Sequence, residues 1–155
     1  MRQRISPDVK ELLELFNQHG VDYLVCGGHA VAFHGYPRLT MDFDVLVRPE
    51  PENAKRLMAA LQDFGFGAAG IPMDAFLTPG SAVTLGAQPN QVDLLTSISS
   101  QSDAVLFSNA VPGEIEGVPV RFVGRDDLIT AKREANRPKD LADVAELEKA
   151  KGDTL

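Results

Sequence analysis

The segment Met41-Asp42-Phe43-Asp44-Val45-Leu46-Val47 sets two acids inside an otherwise apolar run. Alternate residues of a strand share a face, so a strand over Met41–Val47 projects both carboxylates together, about 7 Å apart at Cα. Thr40 precedes them on that face, while Met41, Phe43 and Val45 point the other way, toward a core. Two acids on one strand face repel each other and weaken pairing. Either the strand is an exposed edge with solvated acids, or the face meets a counter-charge. The apolar run Val45-Leu46-Val47 favours the second, because a half-buried strand rarely carries two acids without a partner. Oxygen ligands with few other side-chain donors suit magnesium better than zinc.

Upstream, Val21 to Cys26 reads as a short buried strand that runs into Gly27-Gly28, with a short helix expected over residues 29 to 35. Glycine lets backbone N–H groups approach a ligand closely, and a following helix aims its N-terminal donors at the same point. Most glycine pairs are plain turns. This one gains meaning from the two-acid strand after it, since phosphoryl-type chemistry needs both a phosphate cradle and charge compensation.

The rest of the chain reads as helices and strands around these two elements. Ser6-Pro7 caps a first helix whose stripe is Val9, Leu12, Leu13 and Phe16, and His19-Gly20 stops it. Residues 52 to 64 form a helix with Ala54, Leu57, Met58, Leu61 and Phe64 on one face. Short strands are expected around Phe76-Leu77 and Val83–Leu85, then over Gln91–Thr96, and a hairpin about Gly117 across 114 to 123. Asp126 or Asp127 caps a helix reaching about Asn136. Pro138 opens the last, with Leu141, Val144, Ala145 and Leu147 apolar. Early alternation and a later cluster of strands predict an α+β fold, a mixed sheet flanked by helices. A length of 155 residues suits one domain, 1–155, with C-terminal helices at about 126–149.

Composition narrows the function classes. Residues 1–120 hold 7 Lys+Arg against 14 Asp+Glu, and residues 121–155 hold 8 against 8, so the chain as a whole is a poor general polyanion binder. The sequence lacks an apolar run of membrane-spanning length, and Cys26 is its single cysteine, so a cytoplasmic protein without membrane contact is expected. The spacings of His19, His29 and His34 do not match a zinc site with Cys26. His29 reads as structural, and Cys26 as a small core residue. On the helix after residue 126, Leu128, Ala131, Lys132 and Ala135 share a stripe, so Lys132 either snorkels to solvent or points into a cleft. Arg137 and Lys139 flank the site, and Asp140 and Asp143 are candidates to pair with them.

Gly27-Gly28, thirteen intervening residues, then Asp42-Phe43-Asp44-Val45 resembles the signature of the DNA polymerase β-like nucleotidyltransferase superfamily. The run Gly35-Tyr36-Pro37-Arg38-Leu39-Thr40 is similar to its small prokaryotic members. The tail from Lys132 through Arg137-Pro138-Lys139-Asp140 to Asp143 is similar to AbiE-type toxins of toxin–antitoxin pairs. The resemblance spans roughly residues 20 to 147. It implies the nucleotidyltransferase fold, two magnesium ions, a nucleoside triphosphate such as ATP, and transfer of a nucleoside monophosphate to a hydroxyl. The hydroxyl would belong to an RNA end, a protein or a small molecule. By position the resemblance implies Asp42 and Asp44 as metal ligands, and as a third ligand Asp93, an acid inside the apolar strand Val92-Asp93-Leu94-Leu95. These three would carry catalysis. It implies Gly27, Gly28, Arg38, Thr40 and Lys132 at the nucleotide, and an antitoxin or a second copy as partner. The alternative is a non-catalytic relative that binds a nucleotide or a partner.

Overall fold

A computed structural model describes residues 4–65 and 70–153. Ser6 Oγ accepts from Val9 N at 3.2 Å and Pro7 sits in the first turn, so helix α1 starts where the cap chemistry dictates, Pro7–Gln18. Val9, Leu12, Leu13 and Phe16 are all buried. Strand β1 (Tyr23–Cys26) leads directly into helix α2 (Gly27–Phe33), so the two glycines open the helix rather than preceding it. Strand β2 covers Asp42–Val47. Helix α3 (Pro51–Phe64) ends on Gly65, whose φ of 108° only glycine adopts without strain. Strands β3 (Ala82–Leu85) and β4 (Gln91–Leu95) follow, then helix α4 (Asp103–Ser108). The hairpin β5 (Val111–Ile115) and β6 (Val118–Phe122) turns at Glu116-Gly117, and helices α5 (Arg125–Ala135) and α6 (Pro138–Asp153) complete the order.

The six strands form one mixed sheet in the order β3-β4-β2-β1-β6-β5. β1 runs antiparallel to β2 and parallel to β6, while β2 runs parallel to β4. β1 is buried along its whole length, as a central strand with four apolar residues must be. α1 packs on α3, and α5 on α6. The expected α+β fold with a mixed sheet between helices is what the chain adopts.

Local expectations differ in several places. Met41 is 41% exposed and lies outside β2, because the strand begins only where Asp42 meets Gln91 of β4. The segment ending at Phe76 is a 3₁₀ helix, Met73–Phe76, and Phe76 reaches the core from it. α4 escapes a periodicity search because it has only six residues, although Ser102 caps it on Val105 N. Gly124 rather than Asp126 or Asp127 is the cap residue of α5, which places both acids in its first turn. In α6, Leu141 is 44% exposed and Ala145 is exposed. The inward stripe is Asp140, Asp143, Val144 and Leu147, the i, i+3, i+4, i+7 positions of one helical face. Half of that stripe is acidic, so an apolar pattern alone gives the wrong phase.

Candidate active site

The sheet register assembles the acids. The parallel ladder between β2 and β4 sets Asp44 beside Asp93 and Asp42 beside Gln91. Alternation along β2 puts Asp42 and Asp44 on one face, and cross-strand neighbours share a face, so Asp93 joins them. Burial raises the pKa of Asp44 most, to about 6. The charge of Asp93, a hydrogen bond shared with it, and the charge of Asp42 add to the rise, while Lys139 opposes it. Asp93 accepts from Thr84 Oγ1 at 2.8 Å and from Gln91 Nε2 at 3.0 and 3.2 Å. Asp42 Oδ1 accepts from Gln88 Nε2 at 3.1 Å.

The glycines are required by these same side chains. Gly27 has φ of 64°, and a Cβ there would lie 2.1 Å from Asp44 Oδ2. A Cβ on Gly28 would lie 2.8 Å from both Cβ and Oγ1 of Thr40. Thr40 Oγ1 in turn donates to the Asp42 carbonyl at 3.0 Å. The turn is thus pressed against the acid strand, which brings the backbone of the first turn of α2 next to the carboxylates. A glycine turn and a carboxylate pair separated by thirteen residues in sequence become one surface.

The expected nucleotide residues Arg38 and Lys132 both pair with acids of α6. Arg38 forks onto Asp143, Nε to Oδ1 and Nη2 to Oδ2, both at 2.9 Å. Lys132 is buried, with Nζ 3.0 Å from Asp143 Oδ2 and 3.5 Å from Asp140 Oδ1. It does not snorkel to solvent. Arg137 Nε meets Asp140 Oδ2 at 2.6 Å, while Asp143 pairs with Arg38 and Lys132 rather than with Arg137 or Lys139. Burial opposes ionisation of Asp143, but the hydrogen bonds and charges of Arg38 and Lys132 outweigh it and hold the carboxyl below its ordinary value. This ionic cluster ties the segment before β2 to α5 and α6. The exposed side chains of Arg137 and Lys139 both sense the charge of Asp44, so the α5–α6 junction borders the acids as expected.

His29 is buried with its ring centroid 4.7 Å from that of Phe43. Burial, then the charge of Arg38, lowers its pKa to about 4, so it stays neutral. Burial pushes the Cys26 thiol well up, which suits a core residue. Thr84, Gln88 and Gln91 have no counterpart in the sequence reading. Gln91 carries the only legible signal, its position two residues before Asp93 on one strand.

The donor set fits magnesium. Among the described residues, no three His, Cys, Asp or Glu side chains already converge as a metal cage. Magnesium does not need one, since it is usually held by one or two carboxylates together with water and substrate phosphates. The Asp44–Asp93 pair, beside the glycine turn, is the pair that would hold such an ion.

No family model matches this sequence, and a search of curated proteins finds no match. Solved structures do match. The lincosamide antibiotic adenylyltransferase LnuA, lincomycin-bound, aligns with a TM-score of 0.57 at 10% identity, covering 96% of this chain and 99% of that one. The antibiotic-resistance factor ANT(2'')-Ia in solution aligns at 0.57 and 13% identity, covering 96% and 83%. A nucleotidyltransferase-like protein from Paracoccidioides brasiliensis aligns at 0.55 and 16%, covering 92% and 77%. At such identities the likeness establishes architecture, and the chain therefore has the α+β fold of these nucleotidyltransferases.

Proposed function

We propose that the protein is a magnesium-dependent nucleotidyltransferase that moves a nucleoside monophosphate from a nucleoside triphosphate to a hydroxyl acceptor. The observation that carries this reading is the half-buried Asp44–Asp93 pair against Gly27, with Asp42 on the same face. A carboxylate raised to a pKa of about 6 by burial first, and then by two neighbouring acids, favours a cation at that point.

The backbone of the Gly27-Gly28 turn would hold the triphosphate beside the acids. Magnesium, when bound, would link the carboxylates to the phosphates and screen their charge. Asp93 would accept the proton of the acceptor hydroxyl, whose oxygen then bonds the α-phosphorus while the bond to the β-phosphate oxygen breaks and pyrophosphate leaves. Exposed Lys139 and Arg137 would meet negative charge on the substrates. Most of the rate would come from positioning and charge stabilisation.

A small hydroxylated acceptor is the favoured class. LnuA and ANT(2'')-Ia act on antibiotics by their names, and the acidic first 120 residues disfavour broad RNA affinity. The tail around Lys139 and Arg137 supports a second reading, an RNA or protein acceptor and a toxin role in the manner of AbiE-type proteins, with an antitoxin or a second copy as partner.

The test incubates the protein with magnesium, each labelled nucleoside triphosphate, and in turn hydroxylated antibiotics, cell RNA and cell protein. Label transfer that vanishes in Asp44→Ala is the expected result, and the labelled fraction identifies the acceptor class. Triphosphate binding without transfer to any acceptor would instead make the protein a non-catalytic binding module.

A further inference from the structure

One edge hairpin supplies neutral hydrogen-bond donors to the acid face. Thr84 on β3 and Gln91 on β4 both donate to Asp93 Oδ1, the hydroxyl at 2.8 Å and the amide at 3.0 Å, and the same amide reaches Oδ2 at 3.2 Å. Both donors reach Oδ1 and only the amide reaches Oδ2, so the carboxylate has one orientation and Oδ2 keeps a lone pair for a cation. Neither donor carries charge, so both orient Asp93 without cancelling the negative field that a cation would seek. Gln88, in the turn between the same strands, acts on a different acid and donates to Asp42 Oδ1 at 3.1 Å. That bond draws on an oxygen that a cation at the face would also use.

We infer that Thr84 and Gln91 are positioning residues that hold Asp93 against Asp44 as a preformed seat for a divalent ion, while Gln88 competes with that ion for Asp42. The inference rests on the proposed function, and adds to it the hairpin that tunes the site. Hydrogen-bond partners of metal ligands commonly contribute ten- to a hundred-fold in metal affinity.

Calorimetric titration of nucleotide-free protein with Mn²⁺ tests it. Thr84→Val and Gln91→Leu should bind roughly ten- to a hundred-fold more weakly than wild type. Thr84→Ser, which keeps the hydroxyl, should bind as wild type does, and Gln88→Ala should bind as tightly or more tightly. Thr84 is exposed and valine suits a strand, so the valine variant keeps the fold. Thermal midpoints should not follow the affinities, whereas a merely structural hairpin would lower affinity and midpoint together in Thr84→Val, Gln91→Leu and Gln88→Ala. Unchanged Mn²⁺ affinity in Thr84→Val and Gln91→Leu would overturn the positioning role. Weaker binding by Gln88→Ala would overturn the competition. Wild-type protein that takes up no Mn²⁺ alone would overturn the preformed seat, and none with a nucleoside triphosphate added would sink the proposed metal-dependent function as well.

Discussion

Replacing Gly27 with alanine tests the link between the turn and the acids. The alanine must hold φ near 64°, which costs a residue with a Cβ about 1 to 2 kcal/mol. Its Cβ would also lie 2.1 Å from Asp44 Oδ2 and 2.8 Å from Asp44 Cβ and Cγ. Relieving such a contact in a packed site costs about 1 to 3 kcal/mol more. The whole effect is about 2 to 5 kcal/mol, and for a chain of this size it lowers the melting midpoint by about 4 to 20 °C. The Asp44 carboxylate must move by about 1 Å, and a displacement of that size can cost about a hundred-fold in turnover. Thermal or urea melts of wild type, Gly27→Ala, Asp44→Gly and the double variant form the decisive cycle. Removing the Asp44 side chain removes all three clashing atoms, so Gly27→Ala should then cost only the backbone part, about 1 to 2 kcal/mol. A double variant that shows the full undiminished cost would refute contact between the turn and Asp44 as the reason for glycine.

Two further predictions concern charge. Asp44 has a folded pKa of about 6 against an ordinary 3.8, so the folded state binds its proton more tightly than the unfolded chain. Its ionisation therefore destabilises the fold above pH 6, and lowering the pH from about 7.5 toward 4 should recover up to about 3 kcal/mol at 1.4 kcal/mol per pH unit. Melts in chelator across that range should show the gain, and Asp44→Asn should abolish it while raising stability at pH 7.5. In the ionic cluster, Asp143→Ala leaves Arg38 without its carboxylate partner and Lys132 with only Asp140 at 3.5 Å, and should cost about 3 to 5 kcal/mol in denaturant unfolding. Lys132→Met leaves the Arg38–Asp143 and Arg137–Asp140 pairs intact and should cost clearly less.

Which parts of the molecule can be read in advance depends on the range of the interaction. α1 is legible because Ser6, Pro7 and the stripe from Val9 to Phe16 all act within a few turns. The Asp42–Asp44 alternation is legible for the same reason, as strand period is a local property. α6 is misphased because its inward positions hold Asp140 and Asp143, and a buried acid reveals itself only through its distant partners Arg38, Lys132 and Arg137. Lys132 stood open between solvent and cleft because the choice turns on α6, which lies outside its own helix.

By itself the sequence determined the two acids on one strand face, the glycine turn before them, and a mixed sheet between helices, because each follows from backbone geometry over a few residues. Tertiary structure alone decided that Asp93 stands beside Asp44, that Gly27 must lack a side chain because Asp44 fills its space, and that Lys132 and Arg38 serve the α6 acids. Those outcomes depend on strand register and helix docking. Both are set by how the whole apolar surface is buried, a sum over many distant residues that no single stretch of the chain contains.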